Sequence, residues 1–338
     1  MRSLLKILFI VLLTTPSAFA QTGDAKTLVR DGIELTNQKN YAAAIEKYKT
    51  ALTIDADYAP GNYQMAFALN AVGKGLDGIP YLQKVFQSTT ASANLIGGSY
   101  DLAGSIYDQN HLPKKAIEAY QQGIKANPAY QSLRYNLGLA YFRNKQYEDA
   151  EATATETIKA DPKYASSMRL YALVTFHQNK RAAALLGFCQ FLILEPNTVR
   201  STEAYGNIQH ILQGGVLKPE PGVVITPLMK TFVAHQNQII SKAIAPFAKR
   251  RYASAGDLLS AQLSTIFNAL GNMPRDKYYF WYDLADYFGT LAKSPNMPAF
   301  ARLVSLGMPE SAKWAKDNAQ QMTDLDAWLK TNQPAFKN

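Results

Sequence analysis

Residues 97–196 read GGSYDLAGSIYDQNHLPKKAIEAYQQGIKANPAY (97–130), QSLRYNLGLAYFRNKQYEDAEATATETIKADPKY (131–164) and ASSMRLYALVTFHQNKRAAALLGFCQFLILEP (165–196). Set one beneath another, these lines share a register. Pro128, Pro162 and Pro196 stand 34 residues apart. Gly104, Gly138 and Ala172 keep the same step, as do Ala116, Ala150 and Ala184, and as do Tyr107 and Tyr141. A fixed period near 34 predicts stacked helix pairs, each of which buries its apolar face against its neighbours. Within a unit the first small residue lies twelve before the second. That spacing puts one on each of two successive helices, where a Leu would hold the backbones apart. The proline comes twelve further on, at the exit of the second helix, because it cannot continue the hydrogen-bond ladder. Polar turns separate the helices: Gln109-Asn110-His111, Asn144-Lys145-Gln146 and Gln178-Asn179-Lys180.

This pattern resembles the tetratricopeptide repeat, with a small residue at repeat position 8, Ala at 20 and Pro at 32, in units beginning at Gly97, Gln131 and Ala165. Tyr120 and Phe188 fill position 24, from which Ala154 departs, and Tyr58, Tyr130 and Tyr164 close their units. The resemblance implies an all-α, right-handed superhelical solenoid that binds other proteins or peptides. It also implies that the first helices line a concave groove, with positions 2, 5, 9, 12 and 13 pointing into it. Carried onto this sequence, repeat two offers Tyr63, Phe67 and Asn70, and repeat three offers Asp101, Ser105 and Asp108. Repeat four offers Tyr135, Leu139, Phe142 and Arg143, and repeat five offers Arg169, Leu173, Phe176 and His177. The expected surface is an aromatic floor, with an acidic patch at Asp101 and Asp108 and a basic one at Arg143 and Arg169 that orient a partner. The alternative is that some of these aromatics pack against C-terminal helices folded back into the groove. The family's carboxylate clamp needs Lys and Asn at set positions of the first helices. Val29 and Ile33 stand there in the first repeat, so that ligand class is not expected.

Outward from this stretch, a first repeat fits from Ala25, with Gly32 and Ala44 as its small residues and Leu28, Leu35, Tyr48 and Ala51 on its apolar faces. Asp55-Ala56-Asp57 takes the place of the proline. The second repeat, from Ala59, is degenerate. Ala66 is in register, Gly78 replaces the second small residue, and Pro80 is tolerated if Asp77 caps the helix. The step from Ala66 to Gly104 is 38 residues, and the four extra belong in 87–98 as a longer loop or a helix extension. After Pro196 a helix over 201–213 keeps the step at Gly206 and caps the array. The solenoid of about five helix pairs plus this cap thus occupies 25–213. Gly214-Gly215 and Lys218-Pro219-Glu220-Pro221-Gly222 make 214–225 a linker. A smaller helical domain, matching no recognised family, follows over 226–338. Its helices are expected near 226–249 (with a kink or end at Pro246), 252–271, 275–293, 297–306 and 309–331. In the last, Ala315, Ala319, Met322, Leu325 and Leu329 form a buried stripe.

The chain has 338 residues and a formal net charge of +9. Arg2 and Lys6 account for two of those charges, and the remaining excess is spread along the chain, which excludes a nucleic-acid stripe. Residues 1–20 read as a cleaved export signal: a positive start, the apolar run 7–13, the break at Pro16-Ser17, and Ala18-Phe19-Ala20 before Gln21. The run is short for a membrane span, which takes about 20 residues. The single cysteine, Cys189, permits no intrachain disulfide and sits beside Phe188 and Phe191 as an expected buried thiol.

No catalytic constellation stands out. His111, His177, His210 and His235 form no zinc-binding pair on one helix, and no phosphate loop or nucleophile elbow occurs. Neither cofactor nor metal is expected. Asp283 and Asp286 share a helix face and are the one opening for an enzyme reading. Whether they line a pocket or face water discriminates it. The aromatics of 278–288 offer an exposed platform for a glycan or envelope polymer, or else a buried face. Lys249-Arg250-Arg251 is the tightest basic cluster, either a contact for anionic polymer or a solvated helix end. The expectation is a non-catalytic exported protein that holds a protein or peptide in the bacterial periplasm or at the cell surface. The glycan-binding reading is its alternative.

Overall fold

The computed structural model describes residues 24–215, 227–274 and 279–336. The expected export signal over 1–20, residues 216–225 of the expected linker, and Tyr278 lie outside the described residues. Every regular element among the described residues is a helix. The chain divides into two compact units, Met1–Ala91 and Ser92–Asn338.

The first unit holds two helix pairs, α1 (Ala25–Asn37) with α2 (Tyr41–Ile54) and α3 (Ala59–Ala71) with α4 (Gly75–Gln87). Asp24 starts α1 by accepting a hydrogen bond from the Thr27 backbone N–H at 2.6 Å. Leu28, Val29, Tyr48, Ala51 and Met65 form the core. In the second pair the small-residue step works as predicted. A Cβ placed on Gly78 would stand 3.0 Å from the Cα of Ala66, so the two backbones are in direct contact. The cap is not where the sequence suggests: α4 starts at Gly75 with Asp77 inside its first turn, and Pro80 lies within the helix. The bond Pro80 cannot make falls on the carbonyl of Leu76, in an exposed first turn where such groups tolerate its loss.

The second unit begins with α5 (Ala93–Gln109), capped by Ser92, whose Oγ accepts from the Leu95 N–H at 3.2 Å. At 17 residues α5 is four longer than α1 or α3. The four surplus residues are therefore one added helical turn. Next come α6 (Pro113–Ala126), α7 (Gln131–Arg143), α8 (Tyr147–Ala160), α9 (Ala165–His177), α10 (Arg181–Leu194) and α11 (Val199–Leu212), each packed on its predecessor apart from the chain turns. Thr198 and Ser201 form a reciprocal capping box at the start of α11.

Within each pair the chain turns in the same way. Lys39, Gly73, His111, Lys145 and Asn179 all lie in the left-handed region, with φ of 61°, 78°, 57°, 60° and 55°. The following N–H bonds back five residues, as from Asn40 to Leu35 O and from Gln146 to Tyr141 O, both at 2.9 Å. This is the 6→1 closure that satisfies the last carbonyls of a helix.

The space left by position 8 is filled by position 24. A Cβ on Gly104 would lie 2.4 Å from the Tyr120 ring. In the fourth pair, where Ala154 lacks a ring, Leu170 of the next first helix reaches in. It comes within 2.7 Å of where a Gly138 Cβ would be.

The C-terminal helices are α12 (Pro227–Ile244), α13 (Ala255–Gly271), α14 (Trp281–Ala292), α15 (Met297–Val304), α16 (Pro309–Asp317) and α17 (Ala319–Thr331). Pro246 ends α12 as expected, and the chain continues as the 3-10 segment Ala245–Lys249. Three expectations meet a different structure. The final helix is two helices, broken at Asn318, whose side-chain amide donates to the Trp314 carbonyl. Of its proposed stripe only Leu325 is buried. The C-terminal helices share one core with the last repeat instead of standing apart: α12, α14 and α15 pack on α10, and every residue of 181–192 is buried. Finally, Phe280, Trp281, Tyr282, Tyr287 and Phe288 are buried. They form the seam between α13, α14, α15 and the repeats, where the Phe267 and Phe288 rings meet at a tilt, 4.7 Å apart, and Phe280 meets Tyr171 of α9 at 4.8 Å. The exposed glycan platform is thereby withdrawn. Cys189 is buried as expected, and burial pushes its thiol pKa up, away from the reactive thiolate.

Two arginines lock this core. Arg181 Nη2 donates to the Ile211 carbonyl at 2.5 Å and its Nη1 to Ser241 Oγ at 3.2 Å. Arg302 pairs with Asp257 at 2.7 Å and lies 4.9 Å over the Trp314 ring.

Candidate interaction groove

The first helices of three successive repeats lie side by side, α5 against α7 and α7 against α9. The proposed groove residues of this unit fall on them. Tyr135, Leu139, Phe142 and Leu173 are half-buried, each with one side on the core and the other open. Tyr135 meets Tyr164 edge-on at 5.5 Å. Phe142 meets His177 edge-on at 5.0 Å, and His177 stacks on Tyr147 at 5.9 Å. Phe176 is a core residue, enclosed by Phe188 at 5.9 Å and His210 at 5.7 Å. It holds the floor from below and offers no surface. Tyr63, Phe67 and Asn70 occupy α3 of the first unit, where Phe67 is exposed and the other two half-buried.

The charged residues behave differently from two opposed patches. Asp108 and Arg143 form an ion pair, and Arg169 pairs with Glu203 of α11 at 2.5 Å. The expected acidic and basic regions therefore neutralise one another from helix to helix, at a gain of roughly 0–1 kcal/mol per exposed pair. Asp101 follows another course. Its Oδ1 accepts from the neutral Asn136 Nδ2 at 2.8 Å. Burial raises its carboxyl pKa, opposed by that hydrogen bond. Ser105 lies near Tyr120, whose phenol is pushed up by burial and by the charge of Asp101.

Asn136, Tyr164 and Glu203 were not foreseen as groove residues. The period carries the signal for Glu203, 34 residues after Arg169. Among the described residues the main contacts of the C-terminal helices are not with α7. They meet the repeats through α10 and through Tyr171, which is not a groove position.

Asp283 and Asp286 line a hollow of about 370 Å³ with Tyr287, Thr290, Trp328 and Asn332. Asp283 is buried and Asp286 exposed. Among the described residues no group of three His, Cys, Asp or Glu is placed to hold a metal ion. Lys249, Arg250 and Arg251 are exposed at the end of the 3-10 segment, a solvated helix end. No helix among the described residues is long and apolar enough to cross a membrane.

Residues 100–165 match the family model of the tetratricopeptide repeat. The TPR repeat-containing protein YpiA of Bacillus subtilis (strain 168) is 28% identical over 137 residues, which are 40% of this chain and 31% of YpiA. The chain thus spans about a third of the length of that relative. Among solved structures, YrrB, described as a TPR protein with an unusual peptide-binding site, aligns with a TM-score of 0.45 at 16% identity, over 55% of this chain and 94% of YrrB. PilF of Pseudomonas aeruginosa aligns with a TM-score of 0.48 at 12% identity, over 67% of this chain and 97% of PilF. Residues 100–165 therefore carry tetratricopeptide repeats, and the helix pairs on either side of them keep the same period.

Proposed function

We propose that this protein is a non-catalytic binding protein that holds a peptide or protein segment in the groove of α5, α7 and α9. One observation carries the reading. Tyr135, Leu139, Phe142 and Leu173 form a row of half-buried apolar side chains on adjacent first helices, fixed from below by buried Phe176. Rigid aromatics that keep one open side bury area on binding at little entropic cost. With Asp108, Arg143 and Arg169 already paired, this row supplies the affinity and the partner presents an apolar face to it. Tyr63, Phe67 and Asn70 are the corresponding face of repeat two. His177 contributes its ring as part of the floor. The proposed place of action is the cell envelope, on the evidence of the export-signal pattern over 1–20. The mass of the protein recovered from fractionated cells tests this, with a start at Gln21 expected and a start at Met1 in the cytoplasm contradicting it.

The groove is tested by comparing the full chain with a Tyr135→Ala/Leu139→Ser variant of equal helix content and Tm. Partners captured from envelope extract and identified by mass are expected to be lost from the variant. The same partners on both proteins would place the working surface elsewhere.

A further inference from the structure

The geometry points to Asp101 as the seat of a cation carried by the partner, a lysine or arginine side chain of the bound peptide. This rests on the reading of the first-helix face as the binding surface.

The charges of that face are unequal in their satisfaction. Asp108 has Arg143, and Arg169 has Glu203. Asp101 has no cation within ion-pair reach among the described residues, and its hydrogen-bond partner is the neutral amide of Asn136. An amide donor satisfies one lone pair and leaves the net charge in place. The carboxylate is half-buried where α5 meets α7, so it has given up part of its hydration for a partner that cannot neutralise it. The rise of its pKa reports the same imbalance.

The surroundings favour a cation over any other ligand. Tyr120, Tyr130 and Tyr164 have phenol pKa values raised first by burial, and the Asp101 charge adds to the rise in each. Tyr164 is in turn edge-on to Tyr135. An uncompensated carboxylate offers a cation a full charge and repels an anion. The apolar row at Leu139, Phe142 and Leu173 leads away along the next helices. The ligand class is therefore a peptide with an apolar face and one basic residue, the basic residue fixing its register.

The test uses the full chain and a positional scan of dodecapeptides in which each amino acid is placed in turn at each position of a Leu/Ala/Phe background. Bound peptides are ranked, and the best is remade with norleucine in place of its basic residue for fluorescence anisotropy. Lys or Arg is expected to be selected at one position. Norleucine there is expected to weaken binding about tenfold, the scale of a charge-assisted hydrogen bond, and Asp101→Asn is expected to reduce that Lys-to-norleucine ratio to about one. The peptide-side change leaves the protein untouched, so the result stands even if Asp101→Asn perturbs folding. Peptides that bind through Tyr135 and Leu139 with no basic preference would overturn the role of Asp101 and leave the groove reading intact. Absence of binding, or binding unaffected by Tyr135→Ala/Leu139→Ser, would overturn both.

Discussion

Gly104 and Gly206 hold the same position in the 34-residue register, and the structure gives them opposite consequences. A Cβ on Gly104 would enter the Tyr120 ring, whereas nothing lies within 4 Å of one on Gly206. Gly104→Ala is expected to destabilise the protein by about 1–3 kcal/mol through overpacking. Gly206→Ala, inside α11, is expected to stabilise it by about 0.5–1 kcal/mol by restricting the unfolded chain. Chemical denaturation of the two variants reads both signs. The sequence showed that both positions are small but not why. In repeat three the reason is a ring sixteen residues on, and in α11 no second helix arrives to need the space. Asp101 carries a second prediction at this scale. Its folded pKa lies above the ordinary 3.8. The penalty for ionising it is therefore absent below 3.8 and complete once pH has risen past the folded value. Asp101→Asn is expected to raise Tm at pH 7 and to match the wild type near pH 3. A variant less stable at pH 7 would show that the carboxylate serves the fold and not a ligand.

At the scale of elements, the inter-helix turns repeat more faithfully than the residues in them. Lys39, His111, Lys145 and Asn179 all adopt positive φ, which side chains other than Gly and Asn adopt at a cost of roughly 1–2 kcal/mol. Lys145→Gly is expected to gain up to about 1 kcal/mol after the added backbone entropy of glycine is subtracted. A loss on urea denaturation would contradict the turn assignment. The polar turns at 109–111, 144–146 and 178–180 are legible in the sequence, but the left-handed residue of such a turn is a glycine only at Gly73. The helices themselves were legible because Pro, Ala and Gly recur with the period, and the surplus turn of α5 was legible as a break in it. The break at Asn318 was not, since 309–331 contains no Gly or Pro after its first residue. The Asn318 side-chain amide joins its own backbone N–H on the Trp314 carbonyl, and the chain turns there. The groove charges are not legible from a single repeat, because Asp108 finds Arg143 35 residues away on the next first helix.

At the scale of the molecule, α10 is the joint. Its sequence RAAALLGFCQFLIL is apolar on nearly every face, the composition of a helix covered all round. The second helices α6 and α8 keep charged outer faces by contrast. That difference was available in the sequence as a sign that another layer covers α10, and the aromatic cluster of 279–288 is the layer's matching face. A chain ended at residue 225 strips α12, α14 and α15 from α10 and exposes apolar side chains of 181–192, each worth roughly 1.5–3 kcal/mol of burial. It is expected to lose its cooperative unfolding transition over repeat five and to aggregate, as sedimentation and hydrogen exchange would register. A soluble fragment with protected amides in α9 and α10 would show the repeats to be self-sufficient.

The central claim is that the first-helix face of α5, α7 and α9 is the surface on which this protein works. A photoreactive benzoylphenylalanine placed at Leu139, in the groove, and in a second variant at exposed Glu156 of α8, tests it in living cells under illumination. The account predicts a discrete covalent adduct with another protein from position 139 and none from position 156. An adduct from position 156 with none from 139 would contradict it.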